Sequence, residues 1–147
     1  CAQEITEAGY KAHLNDLAAA IGRANIPIAM EAVARQRENA KRYDREFAGL
    51  ESVVTRPPLD DGSSWWLYTI LVDDRDSFQA WMKERGIATS QVHRRNDEHP
   101  AFPRSMPGVL PGLDHFSRHQ LSIPIGWWLS SSDMQRITDA VIEWARS

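Results

Sequence analysis

The sequence predicts an α+β fold, a small and mainly antiparallel sheet with helices packed on one face. Three observations lead there. Helical and β-rich stretches follow in the order helix, long helix, strand, strand, helix, strand, short helix, helix, the pattern of an α+β layer. The first β-rich run stops at Pro57 and Pro58, and the turn DDGSS separates it from the second. The chain has 147 residues, 42% of them hydrophobic, which suffices for one domain with a core and hardly for two.

Residues 14–25 read as a compact, alanine-rich helix. Leu14, Leu17, Ala18 and Ile21 recur at helical spacing, and Asn15 or Asp16 is its cap. Residues 26–48 read as a second, long amphipathic helix that tolerates Pro27 in its first turn. Ile28, Val33, Tyr43 and Phe47 form its inward stripe, Arg35, Arg37, Lys41, Arg42 and Arg45 mostly face water, and Gly49 is the C-cap. ESVVTRPP is a short strand, and WWLYTILV (65–72) is a strongly apolar one. DDRDSFQAWMKERG is a capped helix ending at Gly86, with Phe78, Trp81 and Met82 inward. IATSQVH (87–93) is a further strand. Arg94 to Gly112 is loop-like, with four prolines and room for one helical turn near 98–102. A helix over 113–119 leads into LSIPI, and a last helix over 131–146 buries Met134, Ile137, Val141 and Trp144 or a similar set. A sheet this small does not need the alanine-rich face of 17–24 or the PIGWWL loop at 124–129 in full, so apolar exposure is expected at both. The six tryptophans otherwise read as mostly core.

Composition narrows the function. A net charge of -3 gives no general attraction to nucleic acid or acidic lipid. The single cysteine, Cys1, excludes an internal disulfide and a thiol pair for zinc, and fits a reducing, cytoplasmic setting. No apolar run approaches the ~20 residues of a membrane span, so no membrane partner is expected. No basic-then-apolar leader opens the chain, which begins CAQEITEAG as though cut from something longer. There is no Gly-rich phosphate loop and no Gly-x-Ser-x-Gly elbow. His115 and His119, four apart, share a helix face but lack an evident third ligand, so with His99 they read as structural or surface residues and no metal is expected.

The stretch GYKAHLNDLAAAIG (9–22) poses a chemical question. Lys11 and His13 sit just before a helix whose N-terminal end already carries partial positive charge. Cations make sense there if an anion comes to the same place. The plainer reading is an exposed turn lysine and a histidine that caps or packs.

Read together, GYKAHLNDLAAAIG, the Arg-rich helix ending RYDREFAGL, SSWWLYTILVDDRDSFQAWMKERGIATSQVH, LSIPI and SSDMQRITDAVIEW occur in an order and spacing that resemble the C-terminal domain of the DegT/DnrJ/StrS-type sugar aminotransferases. Those are fold-type-I, pyridoxal-phosphate enzymes that usually aminate keto sugars carried on nucleotides. The resemblance covers nearly the whole chain. It implies a single C-terminal small domain over 1–147, with the large domain and its Schiff-base lysine N-terminal to Cys1. Lys11, Lys41 and Lys83 are the only lysines, and none lies in the family's Schiff-base context, so no catalytic residue is assigned and the chain alone is expected to be inactive and cofactor-free. The resemblance implies a homodimer in which the Gly9–His13 turn reaches the neighbouring subunit's site. Lys11 would then meet the cofactor phosphate, and His13 would meet phosphate or substrate. Ala12 stands where an aromatic ring is common in the family, and His13 where arginine is.

The same resemblance places a histidine like His93 near the active site of its own subunit, with Arg94, Arg95 or Asn96 nearby. Strand ends present side chains to clefts, and arginines suit a nucleotide diphosphate. Asp97 and Glu98 could equally neutralise them. His93, Arg94 and Asn96 are the candidate substrate contacts. Two other readings of the chain remain open: a non-catalytic binding module that keeps the fold, and a pyridoxal-phosphate sugar dehydratase relative.

Overall fold

Tyr68, Ile70 and Val72 alternate with Thr69 and Leu71 along one strand, and this period of two decides how the protein is layered. The computed structural model describes residues 14–50, 54–55, 62–93, 95 and 110–147. Within them, α1 (Asp16–Glu46), β1 (Val54–Thr55), β2 (Tyr68–Val72), α2 (Arg75–Glu84), α3 (Pro111–His119), β3 (Gln120–Ile123) and α4 (Ser131–Arg146) follow in order. The strands form an antiparallel sheet in the order β1-β2-β3. Tyr68 lies opposite Ile123 and Ile70 opposite Leu121, so these four side chains share a face with Val72. The buried residues of three helices meet that face: Ala40 and Tyr43 of α1, Phe78 and Met82 of α2, and Met134, Ile137, Ala140 and Val141 of α4. Each large side chain buried there contributes about 1.5–3 kcal/mol. This is the expected α+β layer with helices on one face.

The helix ends follow local rules. Asp74 caps α2, accepting from the Ser77 N–H at 3.3 Å, and Gly86 supplies the positive φ just beyond its end. Ser130 and Asp133 form a reciprocal capping box on α4. α3 starts earlier than the sequence suggested, at Pro111, because proline suits a first-turn position where no N–H is needed.

The chain divides into two compact units, Cys1–Ala32 and Val33–Ser147. In the first, described from residue 14, every side chain is exposed except the half-buried Ala19 and Ala32, including Leu17, Ile21, Ile26, Ile28 and Met30. The two helices expected over 14–25 and 26–48 are one helix, α1, with Pro27 inside it. A proline there removes a single N–H, and the alanines on either side are the strongest helix formers. The expected inward stripe also shifts: Ile28 is exposed, whereas Asn39, Ala40, Tyr43 and Phe47 are buried. By length and composition alone α1 is long and apolar enough to cross a membrane, contrary to the sequence expectation. Arg23 and Glu31 interrupt the linear run, but an 18-residue stretch of the helix still averages apolar.

In the second unit, α1 holds two loops. Asn39 Nδ2 donates to the Ile125 and Gly126 carbonyls at 3.2 and 3.1 Å, and the Tyr43 hydroxyl donates to the Pro124 carbonyl at 2.7 Å. Burial pushes the Tyr43 phenol far up, against the pull of the Arg42 charge, so it stays a neutral donor. The turn so anchored carries Trp127 and Trp128, which are 54% and 68% exposed, as the sequence anticipated for one of them. Trp65 is half-buried against the core and Trp66 is exposed, so the reading of the tryptophans as mostly core holds for Trp65, Trp81 and Trp144 only.

The segment expected as a strand over 87–93 makes one bridge, Ser90 to Ser122, with both N–H···O bonds present at 3.1 and 2.8 Å. The ladder stops on either side for identifiable reasons. In antiparallel register the next hydrogen-bonded pairs would be Val92 with Gln120 and Ala88 with Pro124. The Gln120 N–H is already given to the Phe116 carbonyl at the end of α3, and Pro124 has none.

Candidate functional site

The second face of the sheet is polar where β3 meets the 87–93 segment. Ser122 and Gln120 are buried there, and the Thr69 and Ser122 hydroxyls lie 3.2 Å apart. Gln120 replaces the missing ladder bond with its side chain: Nε2 donates to the His93 carbonyl at 2.8 Å. Gln91 Nε2 donates to the Ser117 carbonyl at 2.8 Å, and Arg75 donates to the same carbonyl at 3.2 Å. The backbone that delivers His93 is thus fixed by side chains, while the His93 side chain is exposed. Arg95 is ion-paired with Asp114 in the first turn of α3. That pairing is a third fate for Arg95, beside the diphosphate and the Asp97 or Glu98 partners considered from sequence.

A tryptophan completes the corner. Trp66 is 67% exposed, and its ring packs edge-to-face against His93 with centroids 5.9 Å apart. The residue before it, Trp65, has a left-handed φ of 55°. An L-residue pays roughly 1–2 kcal/mol for that conformation. Trp65 instead stacks on Tyr68 at 5.5 Å, and its N–H donates to Ser63 Oγ at 3.0 Å. Arg37 donates to the Ser63 and Gly62 carbonyls at 2.9 and 3.3 Å, and Gln36 to the Trp65 carbonyl at 3.4 Å. A strand drawn through WWLYTILV would turn Trp66 inward with Tyr68, Ile70 and Val72. β2 begins only at Tyr68, so that alternation does not extend to Trp66.

Of the five candidate site residues, Lys11, His13, His93, Arg94 and Asn96, His93 lies among the described ones. Lys11, His13, Arg94 and Asn96, and the helical turn expected near 98–102, lie outside them. Among the described residues no group of three His, Cys, Asp or Glu side chains is placed to hold a metal. The His115 and His119 rings lie tilted to each other with centroids 4.3 Å apart, and His119 Nδ1 contacts the His115 carbonyl at 2.7 Å, a local helix contact. A depression of about 580 Å³ between Arg85 and α4 shares no lining residue with the His93 corner. Its charges are largely matched among themselves: Arg85 lies 3.7 Å from Glu143 and 3.1 Å above the Trp81 ring, and Gln135 donates to Asp139 at 2.8 Å.

The described residues form an α+β layer that offers an exposed histidine–tryptophan corner. The family model for the DegT/DnrJ/EryC1/StrS aminotransferase family matches residues 2–142, and the chain belongs to that family. It is 33% identical over 144 residues to the dTDP-3-amino-3,4,6-trideoxy-alpha-D-glucose transaminase of Streptomyces venezuelae, covering 93% of this chain and 37% of that protein. The solved sugar aminotransferase CalS13 from Micromonospora echinospora superposes with a TM-score of 0.82 at 37% identity, over 92% of this chain and 37% of that one. DesV of S. venezuelae, solved in complex with a ketimine intermediate, gives 0.80 at 29% identity, over 89% and 36%. The chain therefore spans little more than a third of the length of these relatives.

Proposed function

We propose that the chain is the C-terminal, small domain of a pyridoxal-phosphate-dependent aminotransferase that moves an amino group from an amino acid to a keto sugar carried on a nucleotide. The observation that carries this reading is the family match along nearly the whole chain, made at little more than a third of the relatives' length. A domain of this kind contributes to a site whose remainder lies on another domain. The described residues fit that role. Lys41 is exposed and paired with Glu38 at 3.2 Å, Lys83 is exposed, and Arg95 is engaged by Asp114. No chemical step is assigned to them. When bound, the cofactor supplies the electron sink for amino transfer, and this chain's share is to bind and orient.

In this reading His93 presents its imidazole to the substrate of its own subunit, on backbone fixed by Gln120. Arg94 and Asn96 serve the same substrate. Lys11 reaches the cofactor phosphate in a second, identical subunit, and His13 the phosphate or substrate there. The exposed apolar residues of α1 between Leu17 and Met30, and separately Trp127 and Trp128, support a chain that is covered by further protein. Arg23 and Glu31 within the apolar stretch of α1 favour that cover over a lipid one, and the setting is cytoplasmic. The assay is amino transfer by the purified native product that carries this sequence, with glutamate and a panel of dTDP- and UDP-linked keto sugars. Formation of an amino sugar nucleotide is expected. A product that binds the panel but transfers no amino group would favour the non-catalytic module.

A further inference from the structure

Trp66 is a large aromatic side chain that the core does not use, yet its loop is held by four hydrogen bonds and a left-handed Trp65. Exposing an indole and straining the backbone beside it both work against folding, and strain of this kind clusters where ligands bind. The exposed His93 ring stands edge-to-face with it at 5.9 Å. A T-shaped contact uses at most one face of the indole.

We infer that Trp66 is the stacking platform for the base of the nucleotide-linked substrate, with the His93 imidazole beside it for the diphosphate or a sugar hydroxyl. This rests on the sugar-nucleotide reading above. The base is the part assigned to Trp66 because an exposed indole offers a flat face to a flat ring, whereas the reacting carbon of the sugar must meet the cofactor. What reaches this corner is the end of the substrate remote from the chemistry. Every base has a flat π-face, so a tryptophan platform adds affinity with little choice among bases.

The experiment follows the tryptophan indole N–H and histidine ring NMR signals of the purified native product that carries this sequence, with thymidine 5′-diphosphate, thymidine and pyrophosphate as separate probes. The Trp66 signal is assigned by its loss in Trp66→Phe. Thymidine and its diphosphate are expected to shift the Trp66 and His93 signals saturably, and pyrophosphate is expected to leave Trp66 unmoved. Trp66→Ala raises the dissociation constant for the diphosphate about tenfold or more, whereas Trp66→Phe keeps most of the affinity. Trp128→Ala, an exposed tryptophan elsewhere, leaves it unchanged. Diphosphate binding with Trp66 unmoved overturns the platform and leaves the sugar-nucleotide reading standing. Equal effects from pyrophosphate, or no response to any probe, also overturn the platform, and the amino-transfer assay then decides the wider reading by itself. Trp66 shifts that track protein concentration without ligand would make the ring a self-association contact and refute the inference.

Discussion

Asn39 is buried in α1, and its amide nitrogen faces two carbonyls, Ile125 at 3.2 Å and Gly126 at 3.1 Å. Two acceptors on the same atom fix the amide's orientation, because the flipped amide would set oxygen against oxygen. Asn39→Ala removes both bonds. Each is worth about 0.5–1.5 kcal/mol net, and a buried acceptor left short adds to that. Gly126 keeps the Leu129 N–H at 3.1 Å, so the total should be about 2 kcal/mol. For a chain of this size that lowers Tm by roughly 4–8 °C. The damage should be local as well as global. Amide exchange at Leu129 should accelerate, since that N–H closes the turn bearing Trp127 and Trp128. Asn39→Asp should be worse at neutral pH, because a buried carboxylate would then face two carbonyl oxygens. That environment raises its folded pKa above the unfolded value, so the variant loses stability as pH rises between the two. Relative to Asn39→Ala, Asn39→Asp should recover in acid. Thermal unfolding of the three proteins from about pH 4 to 8 reads both effects, a range that brackets the ordinary carboxylate value. A loss below about 0.5 kcal/mol for Asn39→Ala, or an aspartate penalty that does not ease in acid, would refute the account of how α1 holds this turn.

Further outcomes are expected elsewhere. Ile70→Ala, at the centre of the sheet's buried face and fully buried, should cost about 2–5 kcal/mol in denaturant unfolding with an unchanged m-value. Ser130→Ala opens the α4 capping box and should cost about 1 kcal/mol. The Ser130 side chain, its N–H and the Arg136 charge hold the Asp133 carboxyl below its usual value, so the stabilisation they give is present above the ordinary carboxylate range and fades as pH falls through the lowered value. The gap between the wild type and Ser130→Ala should therefore narrow in acid. In Gly126→Ala the new Cβ would collide with the Trp128 ring, which is solvent-exposed and able to swing away. A small stability change with a clear change in tryptophan fluorescence is expected.

The sheet and its helices were legible because their residues obey two simple periods. Phe78, Met82, Met134, Ile137 and Val141 were placed inward from helical spacing, and all are buried. What was missed depends on backbone events that residue types do not announce. The alanine-rich stretch before Pro27 has no stop signal beyond that proline, and a proline's missing bond is outweighed when both flanks are strong helix formers, so one helix read as two. The 87–93 strand reduced to a bridge because Gln120 had already spent its N–H on α3, a tertiary fact. The strand read over 65–72 begins only at Tyr68, so its alternation does not place Trp66. His93 was found through family resemblance. Its partner Trp66 and its support Gln120 emerge only from the three-dimensional arrangement.

The central claim is that this chain belongs to a cofactor-dependent aminotransferase without itself carrying the lysine that binds the cofactor. Borohydride reduction of the native, cofactor-loaded gene product, followed by peptide mapping, tests it directly. The account predicts one stoichiometric cofactor–lysine adduct outside the 147 residues, with Lys11, Lys41 and Lys83 unmodified. A stoichiometric adduct on any of those three lysines would contradict it.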